Sequence, residues 1–590
     1  MKTTIKSFAI LLAVTFGMSA CVQNLNTQPI DPNINQTFDQ DAVFNKIYTS
    51  FVQTGQVGGG GDADIITDDE GYSGFYRTLC VLNEFPTDAG WWTWRNDAGC
   101  SDLLLISWTA TNPFVSKLYN RLNYGVTMCN HFLEKTEGMT DEKSVHQRAE
   151  VRFVRAINYY HLLDMFGNVP FTVSVWGSGN PDQIKRADLY QWLLDEILFG
   201  HTKPMFGEKL TDTDKHGFVD DLYDKGATTI YRATKPAAYM LAARLYLNAE
   251  IYTGTLSADG KSFTKGTAEW ANAEKYAQMV IDAYPNLPKP YARIFMGDND
   301  VTSLDEMVFL AAQDGQYIRS YAGSQYTIAS CRNQKMNDCG SSDNNWGCWR
   351  ACPELVKVFF PGKTAAEIVA LGKDADEFAM PAIAHDDRAM FCAKNVDPAD
   401  GTDNIKDFKG DVPESGDGFD DCWGICKWTN LYSTQFDASL QPVVLENKPQ
   451  HDSKYMDTDV PLMRTAEAVM TLAEAQFRQN KPEALNTINR IRERANAAPF
   501  TATDLTEENI LAEWLREFYH EGRRRIDLIR FGQFVGPDAT MNWEGRGKQK
   551  SMDDSGNWLD PVPLDMYYIL YPIPNSDKVA NSNLEQNPGY

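Results

Sequence analysis

Apolar residues recur at helical spacing in several blocks of the chain. Ala238, Leu241, Ala242, Leu245, Ala249 and Tyr252 form one stripe of an amphipathic helix, with Thr234 at its cap and Pro236 in its first turn. A second stripe, on Tyr276, Ala277, Val280 and Ile281, follows a Gly-containing link. Met463, Ala466, Met470, Ala473 and Phe477 form a third, which Asn480-Lys481-Pro482 breaks and restarts on Ala484, Leu485, Ile488, Ile491 and Ala495. Ile510, Leu511, Trp514, Leu515 and Phe518 make another. The block 145–166 reads as one long helix stopped by Gly167 and followed by Pro170. Helix, short turn and helix, repeated, predict a mainly α fold with a tetratricopeptide-like helical repeat scaffold. The strict repeat consensus is absent, and long insertions split the units.

The predicted organisation is one domain over 38–590. Helical scaffold falls at about 38–53, 113–295 and 461–535, loop-rich sequence at about 54–112 and 296–460, and a C-terminal extension at 536–590. The loop-rich parts hold much Gly, Asp, Trp and Tyr. Their aromatic content argues against disorder, so they are the expected binding surface, carried on a rigid frame. In Gly90-Trp-Trp-Thr-Trp-Arg-Asn-Asp97 three tryptophans fall within four residues. Strand parity puts Trp92 and Trp94 on one side and Trp91 inward. Trp192, Trp270 and Trp514, in helical blocks, read as core.

The N-terminus changes the picture. Lys2 and Lys6 precede the apolar run Phe8–Phe16, and Gly17-Met-Ser-Ala-Cys21 follows. This is an export signal over 1–20, resembling a lipobox in which Cys21 is lipidated and becomes the first mature residue. No later run reaches ~18 apolar residues, so lipid is the expected membrane anchor, with 21–37 as a polar tether. The net charge of −25 would repel a polyanion, which makes nucleic acid an unsuitable partner and leaves neutral ligands unaffected. Ten cysteines follow Cys21, with no C-x2-C pair and few histidines, so zinc is not indicated and disulfide pairing is not readable.

Ala149-Glu-Val-Arg152-Phe-Val-Arg155-Ala-Ile-Asn-Tyr159-Tyr-His-Leu-Leu-Asp164-Met-Phe166-Gly-Asn-Val-Pro170 resembles the long-helix signature of the SusD/RagB outer-membrane lipoproteins. Ala243–Ala249, Arg464–Ala468, Arg516–Arg525, Tyr571-Pro-Ile-Pro574 and Gln586-Asn-Pro-Gly-Tyr590 extend the resemblance over essentially the whole chain. Within the family, Phe38-Asp-Gln40, Asp69–Arg77, Pro86-Thr-Asp88 and Gln313-Asp-Gly315 look most like its starch-binding founder. The resemblance implies a non-catalytic binder of starch or maltooligosaccharides on the cell surface. Such a protein is anchored by lipid to the outer membrane and delivers glycan to a TonB-dependent transporter. The founder's aromatic arc would fall on Trp94, Tyr321 and Trp346, and its polar contacts on Asp69, Arg77 and Asp97, the last an asparagine in the founder. Trp92 is a candidate neighbour. No cofactor is required, although a family-like calcium site would involve Asp298, Asp300, Asp457 and Asp459. Short Asp-x-Asp runs suit a hard cation but also serve as turn residues.

The chemistry agrees with the resemblance. A pyranose has an apolar C–H face on which an aromatic ring can stack, and a hydroxyl rim suited to sparse polar groups. A curved α-glucan suits several rings set at angles to one another. A different neutral glycan is the first alternative and an all-helical glycoside hydrolase the second. Asp68-Asp69-Glu70 does not by itself make the spaced carboxylate pair that hydrolysis needs. No Gly-x-Ser-x-Gly, His-Glu-x-x-His or phosphate loop is present. The basic run Arg523-Arg-Arg525 reads as an ion-pair network in preference to a phosphate site.

Overall fold

The computed structural model describes residues 37–55, 63–65, 71–93, 97–175, 179–204, 212–226, 229–332, 346–372, 379–392, 423–433, 455–536, 539, 548–549 and 562–590. Two compact units are distinguished, Met1–Val43 and Phe44–Tyr590. In chain order the elements used below are α1 (Gln40–Thr49), α2 (Phe75–Glu84), β1 (Gly90–Trp92), α3 (Pro113–Lys135), α4 (Glu142–Phe166), α5 (Lys235–Leu247), α6 (Trp270–Ala283), β2 (Met307–Ala311) and α7 (Ser324–Cys331). After them come β3 (Trp349–Ala351), β4 (Val460–Arg464), α8 (Thr465–Arg478), α9 (Glu483–Arg494), α10 (Glu507–Phe518) and α11 (Arg524–Arg530).

Helical pairs α3/α4, α5/α6 and α8/α9 pack side by side, and α6 packs on α8 across the long insertion. The scaffold is mainly helical, and every sheet among the described residues has two strands. Local chemistry sets the helix ends. Asn112 caps α3 by accepting from the amides of Phe114 and Val115, with Pro113 in the first turn. Asp141 caps α4 through the Ser144 amide, and Gly167, at φ +72°, ends it. Asn480, at φ +57°, makes the break between α8 and α9. Thr234 occupies the cap position of α5 in extended backbone, but its side chain makes no capping bond.

The helical scaffold buries charge as well as apolar surface, and these charges meet opposite charges or backbone carbonyls. Arg152 and Arg155 of α4 both meet Glu196, at 2.9 and 2.8 Å. Arg524 forms a two-pronged pair with Asp88 (2.7 and 2.8 Å), and Arg523 meets Glu467 and Asp527. Arg525 donates to the carbonyls of Tyr568 and Ile569. The basic run is therefore an internal ion-pair and hydrogen-bond network.

The end of α4 and the C-terminal motifs meet in space. Tyr571 N–H donates to the Met165 carbonyl (2.7 Å), and Asn587 donates to the carbonyls of Phe166 and Tyr571. Trp192 and Trp514 are buried, and the Trp514 indole donates to Glu474. Trp270 is instead half-buried, with the Arg478 guanidinium 5.0 Å from its ring centre. No helix among the described residues is long and apolar enough to cross a membrane.

Candidate functional site

Five stretches of chain converge around Tyr321. The first is the approach to α2. Gly71 has φ +77°, and a Cβ there would lie 2.6 Å from the Tyr321 carbonyl carbon. A Cβ on Gly74 would lie 2.1 Å from that of Ala322, and Arg77 N–H donates to the Ala322 carbonyl (3.0 Å). Glycine is needed at 71 both for its backbone conformation and for this close approach.

The second and third stretches are β1 and β3, paired antiparallel with Gly90 opposite Ala351 and Trp92 opposite Trp349. Thr93 N–H extends the ladder to the Cys348 carbonyl (2.8 Å), two residues from Trp346. Trp346 N–H donates to the Ala329 carbonyl (2.7 Å) in α7, which begins just after Tyr321.

The fourth and fifth stretches are 313–321 and 455–459. Gln313 N–H donates to Asp459 Oδ1 (2.6 Å) and Gly315 N–H to Asp457 Oδ1 (2.9 Å). The outcome is an aromatic cluster. The Tyr321 ring lies 6.1 Å from that of Trp346, inclined at 36°, and 5.5 Å from that of Tyr455, at 58°. Tyr321 and Trp346 are half-buried, whereas Tyr455, against the Tyr321 ring, is buried. Neighbouring rings inclined to one another present a curved surface to a ligand. Tyr455 escaped the sequence reading because no local signal ties it to Tyr321.

Trp94, Asp69 and Cys21, the residue expected to be lipidated, lie outside the described residues. Each described neighbour is nonetheless informative: Thr93 is fixed by the ladder and Gly71 by its contact with Tyr321.

The structure corrects Trp92. It is 4% exposed, stacked on Phe85 (5.2 Å, 29°) and Tyr326 (5.9 Å, 28°), and its indole donates to Asp97 Oδ2 (3.0 Å). Trp91 is buried too, so strand parity fails here because β1 is covered on both faces. Asp97 is half-buried, and its Oδ2 accepts from the Trp92 indole. Arg77 is 7% exposed, and its guanidinium carbon lies 4.7 Å from the ring centres of both Tyr72 and Tyr326. That position braces the wall of the site and gives little access to a ligand.

The four aspartates expected to bind calcium are occupied by protein donors. Asp298 accepts from the Ser433 amide (2.9 Å) and hydroxyl (2.7 Å). Asp457 accepts from the Gly315 amide and, at 3.3 Å, from the Tyr432 hydroxyl. The Tyr231 hydroxyl lies 3.0 Å from both Asp300 and Asp459. Burial pushes the Asp459 carboxyl well above its ordinary range, and the charge of Asp300 adds to this. Among the described residues no group of three or more His, Cys, Asp or Glu is disposed to hold a metal ion. The partners of all four are distant in sequence, so these aspartates tie separate stretches of the chain together.

Cys331 Sγ lies 3.2 Å from His520 Nδ1, the arrangement of a nucleophilic dyad. Both groups are buried, and burial raises the thiol and lowers the imidazole, so the pair rests neutral and inert.

Comparison with known proteins places these features. Residues 427–590 match the model of the SusD family. The starch-binding protein SusD of Bacteroides thetaiotaomicron is 35% identical, over 99% of this chain and 98% of its own. Among solved structures, a SusD-like protein of Bacteroides fragilis aligns with a TM-score of 0.60 at 17% identity, covering 96% of this chain and all of the other. Surface glycan-binding protein A of Bacteroides thetaiotaomicron, solved with laminarihexaose, aligns with a TM-score of 0.59 at 16% identity, covering 93% and 99%.

Proposed function

The chain belongs to the SusD family, and on that premise we propose that it captures starch and maltooligosaccharides at the cell surface and passes them to a TonB-dependent outer-membrane transporter. The family consists of non-catalytic carbohydrate-binding proteins, and the chain is not an enzyme. Cys21 carries the lipid that tethers it to the outer membrane, facing outward. Tyr321 and Trp346 stack on sugar faces, and Trp94 completes the arc from the end of the β1–β3 ladder. Asp69 and Asp97 hydrogen-bond the hydroxyl rim, and Arg77 braces the wall of the site.

The observation that carries this reading is the inclined, half-buried Tyr321–Trp346 pair, with Gly71 packed against the Tyr321 backbone. The 35% identical relative is named a starch-binding protein, which favours α-glucan. The laminarihexaose complex belongs to a relative that shares only the fold, so it does not redirect the choice of sugar.

The test is affinity electrophoresis of the mature, unlipidated protein in gels containing amylopectin, laminarin or no glycan, followed by calorimetry with maltooligosaccharides. Retardation by amylopectin alone is expected. Retardation only by laminarin would replace starch with another neutral glycan, and retardation by no glycan in a broad panel would refute glycan capture. New reducing ends on prolonged incubation with starch would contradict the non-catalytic role.

A further inference from the structure

The segment between Gln313 and Tyr321 forms a tight turn held from several sides. The amides of Gln316 and Tyr317 both donate to Asp314 Oδ1, at 2.6 and 2.7 Å. Ile318 N–H donates to the Asp314 carbonyl (3.0 Å), and Gln313 Nε2 donates to the Ile318 carbonyl (2.7 Å). A Cβ on Gly315 would lie 2.7 Å from the Tyr455 carbonyl oxygen, so the turn rests directly on the backbone of the residue whose ring supports Tyr321.

At the tip of this turn stands Tyr317, 76% exposed, more than any other aromatic side chain among the described residues. Single exposed apolar residues are ordinary on protein surfaces. Tyr317 differs in being fixed on a hydrogen-bonded turn that is continuous with the aromatic cluster. Four residues of chain separate it from Tyr321, which bounds their Cα separation at about 14 Å. That reach spans a few pyranose units. Gln316 and Arg319, near it in sequence, are both exposed and both able to donate to hydroxyls.

We propose that Tyr317 is a further stacking platform that extends the glycan site beyond Tyr321 and Trp346 and engages the outer sugars of a longer chain. This rests on the glycan-capture reading above. Because the turn is already ordered, stacking there forfeits little conformational freedom. Short ligands fill the Tyr321–Trp346 surface alone, so Tyr317 acts as a chain-length determinant.

Calorimetry with maltotriose and maltoheptaose on the wild type, Tyr317→Ala and Tyr317→Phe tests this. Tyr317→Ala is expected to weaken maltoheptaose on the order of five- to tenfold, as for loss of one aromatic anchor. Maltotriose affinity should stay unchanged, and Tyr317→Phe, which keeps the ring, should behave as wild type. Asp314→Ala, which frees the turn without removing the ring, should give a smaller loss confined to the long ligand. Equal effects of Tyr317→Ala on both lengths, or none on either, overturn the proposal while leaving glycan capture intact. If the wild type binds neither maltooligosaccharide, the same short and long pair is taken from the glycan that it does bind. A wild type that binds no glycan overturns both readings together.

Discussion

The ring of Tyr321 lies 6.1 Å from that of Trp346 and is inclined to it by 36°, although α7 lies between them along the chain. The two act as one surface, so their contributions to binding are coupled. Tyr321→Ala and Trp346→Ala should each weaken maltooligosaccharide binding by about 1–3 kcal/mol. The double variant should lose less than the sum of the two, because each ring orients the other. A titration series on all four proteins checks this. Strict additivity would mean that the rings act on separate ligands or separate sites.

Gly71 makes no side-chain contribution, yet binding should depend on it. Its φ of +77° and the 2.6 Å approach to the Tyr321 carbonyl carbon leave no room for a methyl group. Gly71→Ala should displace Tyr321 and weaken glycan binding at least as much as a modest ring truncation. Thermal unfolding should show a smaller accompanying loss. Wild-type affinity in Gly71→Ala would show that the Tyr321 position does not matter to the ligand.

Arg77 should report on stability first. Two cation–π contacts of a desolvated guanidinium contribute roughly 0.5–2 kcal/mol each. Arg77→Ala should therefore lower the melting temperature clearly, and Arg77→Lys should restore only part of it because an ammonium lacks the flat faces. Differential scanning calorimetry beside glycan titration separates the roles. An unchanged melting temperature with abolished binding would make Arg77 a direct sugar contact after all.

Glu84 gives a pH signature. Burial pushes its carboxyl up to about 8, against the amides of Arg523 and Gly522, which donate to Oε1. The unfolded carboxyl releases its proton near its ordinary value, whereas the folded one holds it to about 8. Between the two the folded state binds more protons, so this group makes stability fall as pH rises. Glu84→Gln keeps an acceptor for both amides and removes that fall. Denaturation curves should show its advantage over wild type growing from mildly acidic pH to about 8, then levelling. An advantage that is independent of pH would mean that Glu84 stays ionised in its site.

Much of the scaffold was legible because its signals are local. Gly167 after an apolar block and Asn480 before Lys481-Pro482 each act on their own helix end, and both ends form where expected. The aromatic pair Tyr321–Trp346 was reached through family resemblance, and geometry brings its members together. Trp92 misled because alternation assumes that one strand face meets solvent, whereas Phe85, just past the end of α2, and Tyr326 of the remote α7 cover it. Arg77 misled for a similar reason, since the ring of Tyr326 that sandwiches it comes from a remote part of the chain. Tyr455 and Tyr317 carry no sequence signal: one is defined by a long-range contact, the other by exposure on a turn.

The proposed ligand surface draws on positions from Gly71 to Asp459, while the helical pairs are built largely from neighbours in sequence. Loop closure over such spans comes late, after local helices have formed. Sugar binding should therefore be the last property to arrive during refolding. A chain already helical by circular dichroism will still ignore glycan, and recovery of binding becomes a stringent assay of complete folding.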